Sequence, residues 1–222
     1  MASHSARRIA PVWHTVLVLL AIAGITGWGK IYSDHLRAIA NSPRLPLYAT
    51  TAVFEWALLG LVLWGAPANI VMGPRWTNTK RIVFDVLIAA GFWIVSGILL
   101  VVLSRLLGAT SLSRNVKFML PRTPLEMAAW VALCVTAGIC EEAVFRGYLQ
   151  PQFGGLTGSS AAGILLSAVI FGAGHAYQGW RSAVLIACYG AMFGLLAKWR
   201  RTTRPGMIAH FWQDCVSGLL GS

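Results

Sequence analysis

The feature that most constrains this chain is a series of long apolar stretches that carry few charges. Of 222 residues, 57% are hydrophobic and only 11% are charged, whereas a soluble domain carries about a quarter charged residues. A helix needs about 20 mainly apolar residues to cross a bilayer. The sequence therefore predicts an all-α fold, a polytopic transmembrane helix bundle with six to seven spans. The predicted spans are Pro11–Trp28, Leu47–Ala66, Ile82–Ser104, Pro124–Gln150, Thr157–Tyr177, Arg181–Trp199 and Pro205–Leu220.

The strongly basic charge balance is best explained by the membrane as well. The formal net charge is +11, from 18 Lys and Arg residues against seven Asp and Glu residues. The basic residues cluster between apolar stretches, as in the segment 198–204, which is typical of loops beside anionic lipid headgroups. No nucleic-acid recognition motif accompanies the charge. We therefore expect a multi-pass protein of the cell (inner) membrane. It would contact the lipid bilayer and would not bind nucleic acid.

Acidic residues have the opposite distribution, because most of them lie inside or at the edge of apolar stretches. A carboxylate within the hydrocarbon costs at least about 2.5–3.5 kcal/mol, so such residues are functional candidates by default. The candidates are Glu55, Asp85, Glu141, Glu142 and Asp214.

The first chemical motif lies in the fourth predicted helix, where Thr123-Pro124-Leu125-Glu126 has the pattern of a helix start. Glu142 and Arg146 are four residues apart, which on a helix favours an ion pair. Glu141 lies about 100° around the helix from Glu142, so it need not share that arginine. A carboxylate without a fixed partner is suited to act as a general base. The alternative is a structural charge cluster that ties helices together.

Two further motifs bring histidines into the apolar part of the chain. Phe171 and His175 continue a stripe, spaced four residues apart, that begins with Gly163 and Ser167, and small residues on such a stripe allow a close helix neighbour. His210 and Asp214 are also four residues apart. A carboxylate in that position orients an imidazole and stabilises its protonated form. Taken singly, each histidine is also compatible with a packing role.

Together, these motifs resemble the CAAX-protease and bacteriocin-processing (CPBP, or ABI) family of intramembrane proteases. The chain has Glu-Glu-x-x-x-Arg, then Phe-x-x-x-His, then His-x-x-x-Asp, in that order on successive helices. The resemblance covers residues 124–222, the expected catalytic helices. Residues 1–123 would supply N-terminal membrane helices and loops of the same structural domain.

The resemblance implies hydrolysis of a peptide bond in a membrane-associated protein or peptide. By similarity, Glu141 would activate a water molecule with the help of His175, and His210 would stabilise the oxyanion with the residue at position 214. Glu142, Arg146 and Phe171 would support the site. The last position is Asn or Asp in the family, and Asp214 would act through His210.

Metal dependence stays open in the sequence, because the family carries a metalloprotease label. Glu141, His175 and His210 could form a three-ligand zinc site. Against zinc, the chain has no His-Glu-x-x-His motif, and Arg146 would add positive charge near the ion. We expect no required cofactor, with zinc as the alternative.

Two other functions fit the same buried polar residues. A proton-coupled transporter would use them as a proton relay, and a catalytically silent scaffold or immunity protein would keep only the helix packing.

A single site also requires that His175 and His210 lie close together. If the fifth and seventh helices crossed the membrane fully, His175 and His210 would lie about 20 Å apart at 1.5 Å per residue. We therefore expect tilted, broken or staggered helices, for which the glycine-rich segment 154–163 is suited.

Overall fold

The computed structural model describes residues 8–39, 44–109 and 114–220, and within these ranges it contains helices and no strands. The α-helices are α1 (Val12–Ala38), α2 (Leu45–Gly65), α3 (Ala68–Val71), α4 (Thr79–Leu106), α5 (Arg114–Met119), α6 (Pro124–Glu141), α7 (Gln150–Thr157), α8 (Ser160–Gly174), α9 (Trp180–Arg200) and α10 (Arg204–Leu220). A π-helix (Glu142–Leu149) joins α6 to α7, and a 3₁₀ turn (Ala176–Gln178) follows α8.

The outer surface of the bundle is apolar, as a bilayer requires. Among the described residues, five helical segments are long and apolar enough to cross a membrane: α1, α2, α4, α9 and the continuous segment Pro124–Thr157. The shorter helix α8 is apolar too. On α4, large side chains such as Leu87 and Ile98 are more than 60% exposed. Exposure of such apolar side chains is favourable in lipid and unfavourable in water. The predicted all-α polytopic bundle is confirmed, and the chain is an integral membrane protein.

The helix that carries the first motif begins as predicted and ends later. The side chain of Thr123 accepts a hydrogen bond from the backbone N–H of Glu126, and Pro124 occupies the first turn. The sequence predicts an end at Gln150, before Pro151, but the helical path continues to Thr157. The π-helix explains the difference, since its wider turn moves the hydrogen bonds to i−5, and the first turn of α7 tolerates a proline.

The π-helix is the centre of the bundle, because all eight of its residues are buried. Its apolar side chains pack against α1, α2 and α8, with Phe145 and Phe171 in edge-to-face contact at 4.9 Å between ring centroids. A polar contact joins α1 to the π-helix, because His14 Nδ1 lies 2.7 Å from the hydroxyl of Tyr148. The central position means that the side chains of the π-helix are fixed from several sides.

Helix α8 folds back against α7 through a tight turn. Gly158 ends α7 with a positive φ of 69°, a conformation that glycine adopts without strain. The two helices then approach so closely that a Cβ on Gly163 would lie 2.4 Å from the carbonyl oxygen of Gln150. The expected close neighbour of the small-residue stripe is confirmed, and Ser167 adds a hydrogen bond to the carbonyl of Phe145 at 2.7 Å.

Candidate active site

The first motif forms a fully buried ion pair on the π-helix. Arg146 Nη1 lies 3.0 Å from Glu142 Oε1, and the two side chains are 1% and 0% exposed. Nη2 of Arg146 donates a hydrogen bond to the carbonyl of Gly190 at 3.2 Å, and the guanidinium lies over the ring of Phe171 at 4.3 Å. The predicted pairing of Arg146 with Glu142 is therefore present, and α8 and α9 hold the arginine in place.

His210 lies at the meeting point of three carboxyl groups. Its Nδ1 is 3.1 Å from Glu142 Oε1. Its Nε2 is 3.5 Å from Glu141 Oε2 and also 3.5 Å from Asp214 Oδ2. The sequence predicts the local pair with Asp214, whereas the contact with Glu142 joins residues 68 positions apart. Glu142 thus bridges Arg146 and His210.

His175 lies at the end of α8, close to the same aromatic ring as His210. Its Nδ1 is 2.9 Å from the carbonyl oxygen of Phe171. The ring centroid of Phe171 is 4.8 Å from that of His175 and 6.2 Å from that of His210. The histidines therefore converge, and the 20 Å separation of two fully crossing helices does not occur. The reason is that α8 has 15 residues and starts at the turn after α7.

Glycines allow the helices around the site to come together. A Cβ on Gly206 would lie 3.0 Å from Glu142 Oε2, and one on Gly190 would lie 3.1 Å from Arg146 Nη2. Where α6 meets α10, a Cβ on Gly138 would lie 2.8 Å from the carbonyl oxygen of Met207. Backbone thus approaches the charged side chains directly, which excludes lipid from them.

A cavity of about 170 Å³ opens beside these residues, and both Glu141 and His175 line it. It also brings in two residues outside the three motifs, Glu55 from α2 and Tyr177 after α8. A signal for Glu55 existed in the sequence, as a carboxylate within an apolar stretch. The sequence carried no signal that places Glu55 in the same cavity as Glu141, and none for Tyr177.

The donor set does not have the arrangement of a metal site within the described residues. No group of three or more His, Cys, Asp and Glu side chains among them is placed to hold an ion. Both ring nitrogens of His210 face carboxylates instead.

Fold and site together define a polytopic helical membrane protein with a charged, partly enclosed site inside its bundle. Residues 123–216 match the family model described as Rce1-like, type II CAAX prenyl endopeptidase Rce1-like. This segment is therefore similar to the CAAX-protease and bacteriocin-processing family, which confirms the resemblance seen in the sequence. Searches of curated proteins and of solved structures found no match. The family assignment supports an intramembrane protease function in general.

Proposed function

We propose that this protein is an intramembrane endopeptidase of the cell (inner) membrane that hydrolyses a peptide bond in a membrane-associated protein or peptide. The observation that carries the proposal is the position of Glu141. Its carboxylate lines the cavity together with His175 and lies 3.5 Å from Nε2 of His210. Three residues from three separate helical segments, each suited to acid–base or electrostatic catalysis, thus lie in or next to the cavity.

Glu141 is proposed as the general base. The neighbouring Glu142 is occupied by Arg146 and His210, so Glu141 is the carboxylate of the pair that faces the cavity. His175 assists: with Nδ1–H donating to the carbonyl of Phe171, the lone pair of Nε2 accepts a hydrogen bond from the attacking water and orients it. Glu141 takes one proton from water while the water oxygen bonds to the scissile carbonyl carbon. The carbon–nitrogen bond then breaks, and the proton passes to the leaving amine.

His210 is proposed to stabilise the oxyanion that forms between these steps. A carboxylate facing each ring nitrogen stabilises the positively charged imidazolium, which donates from both nitrogens. Nδ1 is held by Glu142 at 3.1 Å, whereas Nε2 lies 3.5 Å from the carboxylates of Glu141 and Asp214, so the more weakly held Nε2 is the nitrogen that donates to the oxyanion. Arg146, Phe171 and Asp214 act as positioning residues: Arg146 orients Glu142, Phe171 contacts both imidazoles, and Asp214 helps to orient His210.

The direct test is cleavage by purified protein, reconstituted in lipid vesicles, of a membrane-anchored peptide library. We expect cleavage by the wild type and a loss of about 10²–10⁴-fold in Glu141→Gln, with unchanged thermal stability because the amide keeps the shape of the side chain. Asp34→Asn is a matched control, since it removes a carboxylate from an exposed ion pair with Lys30. Absence of cleavage combined with pH-driven uptake would indicate the transporter, and full activity of Glu141→Gln would contradict the assigned base.

Metal independence is part of the proposal and needs its own experiment. We expect the wild type to keep its activity after treatment with a strong chelator, and elemental analysis to find zinc far below one equivalent. A zinc enzyme behaves differently, because removal of the ion abolishes activity until metal is returned. Stoichiometric zinc whose removal and return switch cleavage off and on would overturn the metal-free mechanism while leaving the protease assignment intact.

A further inference from the structure

Glu55 has no role in the mechanism, although it lines the same cavity. Its Oε2 is buried and has no hydrogen-bond partner. No lysine or arginine in the described ranges forms an ion pair with it. An unpaired carboxylate away from water is costly. A partner supplied by a ligand removes that cost.

The position of Glu55 is fixed by the packing of α2. The next residue, Trp56, donates a hydrogen bond from its indole nitrogen to the hydroxyl of Thr136 on α6 at 3.2 Å. One turn further on, Leu59 is buried in the central apolar cluster. Helix α2 is therefore anchored in the turn that follows Glu55, and the carboxyl group stays beside the cavity.

The cavity lining carries carboxyl groups, whereas most charged residues of the whole chain are basic. The chain has a net charge of +11, yet within the described residues the cavity lining includes the carboxyl groups of Glu55 and Glu141 and no lysine or arginine. Aromatic side chains make up much of the remaining wall: Trp28, Tyr32, Phe54, Phe145, Phe171 and Tyr177. Carboxylates pair with cations through charge-assisted hydrogen bonds, and aromatic ring faces attract cations as well.

We propose that Glu55 is a specificity residue that binds a cationic group of the substrate, a basic side chain close to the scissile bond. The inference rests on the proposed protease function, and it adds a substrate class to it. Glu55 holds the cation on the α2 side of the cavity while Glu141 faces the peptide bond from the π-helix side. It exchanges no proton with the reacting atoms, so its effect falls on substrate binding rather than on the chemical step.

A binding experiment tests the cation site without any cleavage. Thermal unfolding of the purified protein in detergent is followed with n-hexylamine, which is cationic at neutral pH, and with the uncharged n-hexanol. A ligand that binds the folded state raises the midpoint. We expect hexylamine to stabilise the wild type and Asp34→Asn, and its apparent Kd to weaken by about 10–100-fold in Glu55→Gln. Hexanol should affect all three proteins equally. An equal hexylamine response in Glu55→Gln and the wild type would overturn the proposal.

A cleavage experiment then tests selectivity with two membrane-anchored peptides that differ in one residue next to the cleaved bond, lysine or norleucine. We expect Glu55→Gln to raise KM about 10–100-fold for the lysine peptide, with kcat unchanged and the norleucine peptide unaffected. A fall in kcat for both peptides contradicts a specificity role and indicates a catalytic one. If neither peptide is cleaved but the selective hexylamine response is present, the protease function fails and the cation site stands.

Discussion

Two carboxylate–arginine pairs in this bundle differ in their burial and in the contacts that surround them. Asp85 on α4 and Arg200 on α9 lie 3.1 Å apart near the edge of the bundle, where the arginine side chain is 23% exposed. The indole nitrogen of Trp76 also donates to Asp85 at 2.8 Å. Each oxygen of this carboxylate thus has a partner, and the pair joins two helices.

The pair on the π-helix is enclosed and incomplete by comparison. Glu142 and Arg146 are at most 1% exposed, and Oε2 of Glu142 has no hydrogen-bond partner among the described residues. Its Oε1 contacts both Arg146 and His210. Burial and the contact with a histidine, rather than the ion pair itself, therefore distinguish the charged cluster of the candidate site.

Removal of the two arginines should separate the pairs most clearly. Arg146→Ala strands a buried carboxylate, which costs about 3–5 kcal/mol, and we expect a low folded yield and no measurable cleavage. Arg200→Ala should cost about 1 kcal/mol because water reaches the pair, with cleavage retained. Yield and thermal unfolding in detergent measure the stability of both variants. Wild-type stability in Arg146→Ala would contradict the claim that the two pairs differ in their contribution to stability.

Added bulk beside the enclosed pair should have an intermediate effect. A Cβ on Gly206 meets Glu142 Oε2 at 3.0 Å and the ring of Phe193 at 3.3 Å, so Gly206→Ala should cost about 1–3 kcal/mol and lower activity by displacing Glu142. Gly97→Ala on α4 is the matched control, since nothing lies within 4 Å of its Cβ position. Equal unfolding temperatures for the two variants would show that the π-helix site has room to adjust.

Neutralising Asp214 beside His210, or Asp85 in the pair with Arg200, should give the smallest effects. The first change should affect cleavage and the second should affect the unfolding temperature. The side chain of Asp214 is 35% exposed, so its contribution to His210 is screened, and Asp214→Asn should lower cleavage by less than about tenfold. Asp85→Asn should leave cleavage unchanged and lower the unfolding temperature by a few degrees at most. A loss of activity beyond a hundredfold in Asp214→Asn would assign that residue a direct part in the reaction.

Features that depend on neighbours along one helix could be predicted from the amino-acid sequence alone. The lengths of the apolar stretches predicted the membrane spans, because a helix needs about 20 apolar residues to cross a bilayer, whatever its neighbours are. The four-residue spacing predicted the pairs Glu142–Arg146 and His210–Asp214, because residues that are four positions apart lie on one face of a helix. The ordered motifs gave the family, which the match over residues 123–216 confirms.

Contacts between distant parts of the chain could not be predicted in this way, because they depend on how the helices pack. The contact of His210 with Glu142, the shared ring of Phe171 between the two histidines, and the place of Glu55 in the cavity each depend on which helices become neighbours. Hydropathy does not encode that choice, since lipid and a neighbouring helix both accept an apolar face. The π-helix is decided in the same way: it leaves no distinct sequence pattern here, and it forms where buried partners on several sides fix the direction of Glu142 and Arg146.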